Sequence, residues 1–151
     1  MKFFLLFFLF FFSIANAQDL NASQLNAIAE HDFSDLDEIM VSRYGFHRVK
    51  AGEEHNQKIY TNNSNEAGNL MVITIIKNEK TCSNVLSIVN ASTHSIIKLR
   101  NDLSLKGYRY KGKMQMSEEI VVSQFHRDNF TVSVTDKVTG TGAYQVLLTC
   151  K

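Results

Sequence analysis

Apolar and polar residues alternate along much of the chain, and this alternation predicts β-strands. Between residues 129 and 135 the apolar side chains of Phe130, Val132 and Val134 occupy every second position, as they do on the buried face of a strand. Other segments rich in β-branched and aromatic residues are separated by short runs of Gly and Asn, which favour turns. The predicted strands cover about residues 46–50, 57–62, 69–77, 83–89, 108–112, 119–127, 129–136 and 143–150.

Apolar residues at helical spacing predict two helices. The first begins at a predicted capping box formed by Ser34 and Asp37, and it ends at Gly45. The second begins near Ser92 and ends at Gly107. The apolar residues on their predicted buried faces are Leu36, Ile39 and Met40 in the first helix and Ile96, Leu99 and Leu103 in the second.

The residues that follow the two predicted helices are alike. In both places a glycine precedes an aromatic residue and then alternating basic residues, at Gly45 and again 62 positions later at Gly107. Two landmarks in the strands recur at offsets of 60 and 61 positions, which predicts an internal repeat of two units, about residues 34–90 and 91–150. Since one unit alone has too small a core to be stable, we expect a single α+β domain. In this domain two tandem α-β-β-β-β units form an antiparallel sheet with both helices on one face.

Residues 1–17 have the pattern of a cleaved signal peptide. The positive charge of Lys2 precedes a run of ten apolar residues, and an Ala-Asn-Ala sequence predicts cleavage between Ala17 and Gln18. A membrane anchor is the alternative, but the apolar run is shorter than the roughly 20 residues that a spanning helix needs. We therefore expect residues 18–151 to be exported to the periplasm or the exterior as one domain.

The chain contains two cysteines, Cys82 and Cys150. Their separation excludes a CxxC redox or zinc motif, and in an oxidising compartment such a pair favours a structural disulfide over two free thiols. Cys82 precedes the last predicted strand of the first unit, and Cys150 ends the last strand of the second. If these two strands pair antiparallel, the Cα atoms come within the roughly 4.4–6.8 Å that a disulfide requires.

The charge balance argues against binding to nucleic acid. The whole chain has 16 Lys and Arg against 15 Asp and Glu, and loss of Lys2 with the leader makes the two numbers equal. Binding through phosphates requires a basic excess. The basic and aromatic stretch KGYRYKGK, residues 106–113, is therefore interpreted as the cap and first strand of the second unit.

Alternation within KGYRYKGK places Tyr108 and Tyr110 on one face of a strand and Arg109 and Lys111 on the other. Two interpretations are open. The tyrosines can pack beneath the helix while the cations simply face water, as on an ordinary half-buried strand. Alternatively, the sheet face without helices is a binding surface on which Arg109, Lys111 and Lys113 contact an acidic partner.

No local motif indicates a metal site or catalysis. The five histidines never stand at HxH or HExxH spacing, and no GxSxG segment is present. The Glu-Glu-His stretch at residues 53–55 lies between two predicted strands, where a solvated loop is the commoner structure. Neighbouring Glu118 and Glu119 point to opposite faces if they lie in a strand. We expect no enzyme activity, no metal and no cofactor, the alternative being an envelope hydrolase whose residues converge only in three dimensions.

A leader followed by two units of one helix and four strands resembles small exported proteins of Bacteroidetes-type bacteria. Over residues 34 to 150 the order of elements is also similar to that of the β-lactamase inhibitory protein and, more distantly, to the TATA-binding-protein fold. This resemblance lies in element order and transfers no functional residue. Export, the repeat, balanced charge and the lack of catalytic motifs together predict a non-catalytic binding or inhibitor-like module whose partner is a protein or an envelope component.

Overall fold

A computed structural model describes residues 18–151, so the predicted leader and its cleavage site after Ala17 lie outside the described residues. These residues form an α+β fold with one antiparallel sheet of eight strands, as the sequence predicts. The helical elements are α1 (Ala22–Glu30), a π-helical segment (Glu38–Arg43), a 3-10 turn (Ala67–Asn69) and α2 (Thr93–Leu105). The strands are β1 (His47–Arg48), β2 (Gln57–Thr61), β3 (Met71–Lys77), β4 (Asn84–Asn90), β5 (Arg109–Gln115), β6 (Val121–Arg127), β7 (Phe130–Thr135) and β8 (Tyr144–Cys150).

The strand order joins the two halves of the chain in the middle of the sheet. The order is β1-β2-β3-β4-β8-β7-β6-β5, and every neighbouring pair is antiparallel. Strands β4 and β8 pair at the centre, with Leu86 opposite Leu148. The edges are β1, which has two residues, and β5, which has seven. Strand β5 is therefore the longer free edge.

Helices α1 and α2 and the π-helical segment pack on the same face of the sheet. On β4, Leu86 and Ile88 point to this face and share one core with Ile28 of α1 and Leu103 of α2. Ile39 of the π-helical segment belongs to the same buried cluster. The core thus lies between one helical layer and one face of the sheet, as predicted, and the described helices leave the opposite face bare.

Helix α1 lies outside the predicted elements. The Asn21 side chain accepts a hydrogen bond from the backbone of Gln24 at 2.9 Å, and the Gln24 side chain accepts one from the backbone of Asn21 at 3.0 Å. This reciprocal pair is a capping box. Leu25, Ile28 and Ala29 follow at helical spacing and are fully buried. The signal for this helix is present in the sequence directly after the predicted cleavage site.

The helix predicted to begin at Ser34 is wrong in its start and its form. The Ser34 hydroxyl donates to the carboxylates of Asp32 and Asp35 at 3.1 and 2.9 Å, so it does not cap a helix. The segment that follows is a π-helix, and the Asp37 side chain makes no capping hydrogen bond to it. The Asp37 carboxylate is bound instead by Arg48, at 2.6 Å.

Helix α2 has the bounds that the sequence predicts. Ser92 is its N-cap and accepts a hydrogen bond from the backbone of Ser95 at 3.2 Å. Gly107 follows the helix with φ of +84°, and Gly45 follows the π-helical segment with φ of +73°. Residues with side chains seldom adopt these φ values, which explains why a glycine ends both helical segments.

The predicted disulfide between Cys82 and Cys150 is present. The two Cα atoms lie 6.0 Å apart, and the bond links the β3–β4 loop to the last residue of β8. The antiparallel pairing of β4 with β8 brings the two cysteines together, as expected. A disulfide is consistent with an exported protein. Within residues 18–151, no helix combines the length and apolar character needed to cross a membrane.

Candidate functional site

The sheet face opposite the helices extends over the whole sheet and is named the helix-free face. Its central row of cross-strand neighbours runs through Ile59, Thr74, Ser87, Leu147, Ser133 and Gln124. The rest of the face consists of residues two positions away along each strand, because side chains alternate between the two faces. The helix-free face is thus a continuous surface to which both halves of the chain contribute.

Aliphatic side chains occupy the β2–β4 half of the helix-free face. Ile59, Val72, Ile76, Val85 and Val89 all point to it, and each is only partly buried. The solvent side of an antiparallel sheet usually carries polar residues instead. A preference of β-branched residues for strands accounts for part of this composition. A contiguous group of partly exposed aliphatic residues is nevertheless typical of a contact surface.

Hydroxyl groups occupy the β6–β8 half of the helix-free face. Thr131, Ser133 and Thr135 of β7 point to this face and are each less than 10% exposed. Some of their hydroxyls are already engaged, since the backbone N–H of Gln145 donates to the Thr135 hydroxyl at 2.9 Å. Apart from Val122 and Leu147, the side chains of this half are polar, and the half leads to the edge strand β5.

A β-bulge in β5 decides which face each residue of KGYRYKGK occupies. The register between β5 and β6 shifts at Lys111, which is the extra residue of the bulge. Before the bulge, Arg109 stands opposite His126 on the helix-free face. After the bulge, Lys113 stands opposite Ser123 and points to the helix side. The three cations that the sequence places together as candidates for partner binding therefore do not share one surface.

The two tyrosines of the same stretch point to the helix side, as predicted. Tyr108 is buried, and its hydroxyl donates to the side chain of Asn26 in α1. Tyr110 is 55% exposed and its ring packs against that of Phe125, with the centroids 5.6 Å apart. Packing beneath a helix is therefore confirmed for Tyr108, whereas Tyr110 covers the sheet near its edge.

Arg109, Lys111 and His126 form a group at the β5 end of the helix-free face, named the cationic corner. Among residues 18–151, the side chains of Arg109 and Lys111 form neither an ion pair nor a hydrogen bond, although both are exposed. Each of the other four arginines has a carboxylate oxygen within 3.7 Å. The positive charge at the corner is thus not neutralised within the described chain.

His126 is the member of the corner that sequence reasoning missed. Its Nε2 atom is buried and has no hydrogen-bond partner among residues 18–151. Burial, and then the positive charges of Lys151 and Lys111, hold the pKa of His126 below its ordinary value. Only the pairing of β5 with β6 brings this histidine beside Arg109. A correct prediction of the register between these two strands would therefore have identified His126.

Lys113 belongs to a different cluster on the helix side. Its ammonium group lies 2.6 Å from one carboxylate oxygen of Asp136, and the Ser123 hydroxyl donates to the other at 2.6 Å. Arg100 of α2 lies 3.5 Å from the same carboxylate. Burial opposes ionisation of Asp136, but the hydrogen bonds from Lys113 and Ser123 outweigh it and keep its pKa below the ordinary value.

A cavity of about 520 Å³ adjoins this cluster. It is bounded by the β5–β6 and β7–β8 loops, and its walls include Lys113, Asp136, Ile120 and Val138. The volume falls in the range of small-molecule sites. The carboxylate at its inner wall is nevertheless already paired with two cations and a hydroxyl, so it offers no free base.

Glu53, which stands in the predicted polar loop, belongs to a structural ion-pair network. The Arg48 guanidinium donates to both carboxylate oxygens of Glu53 at 3.1 and 3.0 Å, and to Asp37 at 2.6 Å. The hydroxyl of buried Tyr60 donates to the other oxygen of Asp37 at 2.6 Å, and burial raises the pKa of this tyrosine. All four carboxylate oxygens thus have protein partners. The network holds the loops to the β1–β2 edge, while His55 is exposed outside it.

Comparison with protein-family models, with curated proteins and with solved structures finds no significant match to this chain. In the part of the chain that the structure describes, no three His, Cys, Asp or Glu side chains are grouped so as to hold a metal ion.

Proposed function

We propose that this chain is a small exported module, inhibitor-like in kind, that binds a protein partner through its helix-free face without catalysing a reaction. The observation that carries the proposal is the aliphatic half of that face. Its side chains are partly exposed on a sheet surface that the described helices leave bare. Covering apolar surface contributes about 25 cal/mol per Å² to association before its costs are subtracted.

The cationic corner gives this surface a charged end. Interfaces commonly combine an apolar centre with a polar rim, and complementary charge at the rim fixes the orientation of the partner. Because Arg109 and Lys111 have no acidic partner among residues 18–151, a partner with acidic residues at the matching place would gain attraction there. The favoured partner is therefore a protein with an apolar patch flanked by carboxylates.

Export and the tandem arrangement are parts of the same proposal. Export is supported by the leader pattern in residues 1–17 and by the disulfide. An arrangement of two related units is supported by the strand order and by the positive φ of both Gly45 and Gly107. Two units joined at β4 and β8 would form one wide binding face, as in the small inhibitory protein that the element order resembles.

A hydrolase is the second candidate, and the cluster at Asp136 is the observation that favours it. Ser123, Asp136 and Lys113 converge beside a cavity of substrate size. Ser123 is only 6% exposed and its hydroxyl donates to a carboxylate that two cations hold ionised, which is a poor arrangement for a nucleophile. A turnover on ester or peptide substrates that Ser123→Ala abolishes in the folded protein would favour the hydrolase.

Quantitative affinity capture with matched variants tests the binding proposal. The mature protein, a Leu147→Asp variant and a Leu105→Asp variant are immobilised and exposed to envelope and culture fractions of the producing organism. Leu147 lies in the central row of the helix-free face, whereas Leu105 is 83% exposed at the end of α2. The proposal predicts a protein that the wild type and Leu105→Asp retain and Leu147→Asp loses. Retention by all three forms would contradict it.

A further inference from the structure

Within the described residues, the cationic corner brings together unpaired positive charge and an unpaired buried nitrogen. Two exposed cations lack a partner among residues 18–151, and the buried Nε2 of the neighbouring histidine has no hydrogen bond within the same residues. Most buried polar side-chain atoms in proteins are hydrogen-bonded, so an unpartnered one calls for an explanation. A negatively charged oxygen at the corner would pair with the two cations and would favour protonation of the histidine beside it.

The geometry of the corner suits a small anion. Arg109 and His126 are direct cross-strand neighbours, and such pairs have Cβ atoms about 5 Å apart. Lys111 stands on the bulge two residues further on, and all three residues line a cavity of about 310 Å³. An arginine offers a planar pair of donors that fits an oxyanion, and a lysine adds a mobile charge.

We propose that the cationic corner is an oxyanion-binding site in which Arg109 and Lys111 supply the charge and the ring of His126 forms part of the wall. The proposal extends the proposed function, because the oxyanion on a protein partner is a side-chain carboxylate. The same chemistry can come from a sulfate or phosphate ester, and a direct comparison of two probes separates these sources. The site itself requires no partner protein and can be tested with free anions.

Other charges around the histidine determine how binding depends on pH. Arg109 and Lys111 lie near it on β5, Arg127 at the end of β6, Asp128 in the β6–β7 turn and Lys151 after β8, while uncharged Thr131 faces it from β7. Cations outnumber the one carboxylate, which opposes protonation of the imidazole. A bound oxyanion would favour the charged form, so binding would raise the pKa of His126. By reciprocity, affinity would increase as pH falls through that pKa.

Nuclear magnetic resonance of the histidine rings tests the proposal in the mature protein. The His126 signal is assigned by its loss in His126→Gln, and the protein is titrated with sodium sulfate and with sodium succinate at constant ionic strength. We expect a saturable shift of the His126 ring signal with at least one probe. Arg109→Gln and Lys111→Gln should each weaken the apparent affinity at least fivefold, while Arg43→Gln, whose arginine pairs with exposed Glu38, should not change it.

The pH dependence is measured with sulfate, because the charge of this anion is constant between pH 5 and pH 8. Saturating sulfate should raise the measured pKa of His126, and it should not move the ring signal of exposed His55. Tighter binding of succinate would assign the site to carboxylates, and tighter binding of sulfate to sulfate or phosphate esters. The proposal is wrong if neither probe gives a saturable shift, or if Arg109→Gln binds as the wild type does. Such a result would not contradict the proposed binding of a protein partner, because the capture experiment with Leu147→Asp tests that proposal separately.

Discussion

Asn84 holds the end of helix α1 against the central strand β4. Its fully buried side-chain amide donates to the backbone carbonyl of Ile28 at 2.8 Å and to that of His31 at 2.7 Å. The backbone N–H of His31 also donates to the Ile28 carbonyl, at 3.3 Å, so Asn84 adds a second bond there and supplies a side-chain donor to the His31 carbonyl at the end of the helix. One strand residue thus attaches the N-terminal helix to the sheet.

This contact predicts the effect of Asn84→Ala. The substitution removes two hydrogen bonds and leaves the His31 carbonyl without its side-chain donor, so the free energy of unfolding should fall by about 2 kcal/mol. Urea denaturation followed by circular dichroism measures the change. The control is Ser83→Ala, since the exposed Ser83 hydroxyl donates to the carbonyl of Glu30 at 3.3 Å, and its loss should cost less than about 1 kcal/mol. Equal effects of the two variants would contradict this role for Asn84.

The disulfide predicts a large loss of stability when both cysteines are removed. Cys82 and Cys150 are separated by 68 positions, and the chain-entropy model gives about 4 kcal/mol for a loop of this length. The double variant Cys82→Ser with Cys150→Ser should therefore unfold at much lower urea concentration than the wild type. Mass spectrometry of the unreduced, denatured protein should find no thiol that can be alkylated. Two alkylated thiols per chain would show that the bond does not form.

Because of the network around Arg48, we expect part of the free energy of unfolding to be lost at low pH. The hydrogen bonds from Arg48 hold the pKa of Glu53 below its ordinary value of 4.5. A carboxylate whose pKa is lowered on folding stabilises the protein fully above about pH 4.5, and this contribution is lost as pH falls through the lower folded-state pKa. Glu53→Gln should therefore destabilise the protein by about 2 kcal/mol at pH 7 and by progressively less below pH 4.5.

Thermal unfolding from pH 7 to pH 3 measures this difference between Glu53→Gln and the wild type. Glu54→Gln is the matched control, because Glu54 is exposed and stands next in the chain. Its unfolding temperature should follow that of the wild type at every pH. A difference between Glu53→Gln and the wild type that stays constant down to pH 3 would show that the Glu53 charge is not what stabilises the loop.

The bulge at Lys111 predicts that the three cations of β5 differ in partner binding. Arg109→Gln and Lys111→Gln should each weaken binding of the captured partner about five- to tenfold, because they remove unpaired charge from the helix-free face. Lys113→Gln should leave affinity unchanged within twofold, since Lys113 points to the helix side and pairs with Asp136. Surface plasmon resonance at two salt concentrations measures the effects. A Lys113→Gln variant as weak as Arg109→Gln would contradict the assignment of faces.

Most of the sheet was predictable because its signals are local. The alternation of Phe130, Val132 and Val134 with polar residues predicts a strand without knowledge of the strands that pair with it. All three side chains are buried in the structure. The disulfide was predictable because the chain has two cysteines, and antiparallel pairing of the last strands of the two predicted units brings them together. Helix α1 lies outside the predicted elements although its capping box at Asn21 and Gln24 is visible in the sequence.

The composition of the cationic corner was not predictable, since it depends on one extra residue in β5. Strict alternation assigns Lys113 to the same face as Arg109, and the bulge at Lys111 reverses that assignment. Gly112, with φ of +110°, is the only local hint, because an isolated glycine in a strand often marks a bulge. His126 joins the corner through strand register, which sequence alternation alone does not fix.

Site-specific photo-crosslinking tests the central claim most directly. A photoreactive amino acid replaces Leu147 on the helix-free face or Ile97, which is 55% exposed on α2, and the protein is illuminated in the producing organism. The account predicts a crosslinked adduct of defined mass from position 147, none from position 97, and loss of the adduct when Arg109→Gln is combined with Lys111→Gln. Adducts from position 97 alone, or equally from both positions, would show that the helix-free face is not the binding surface.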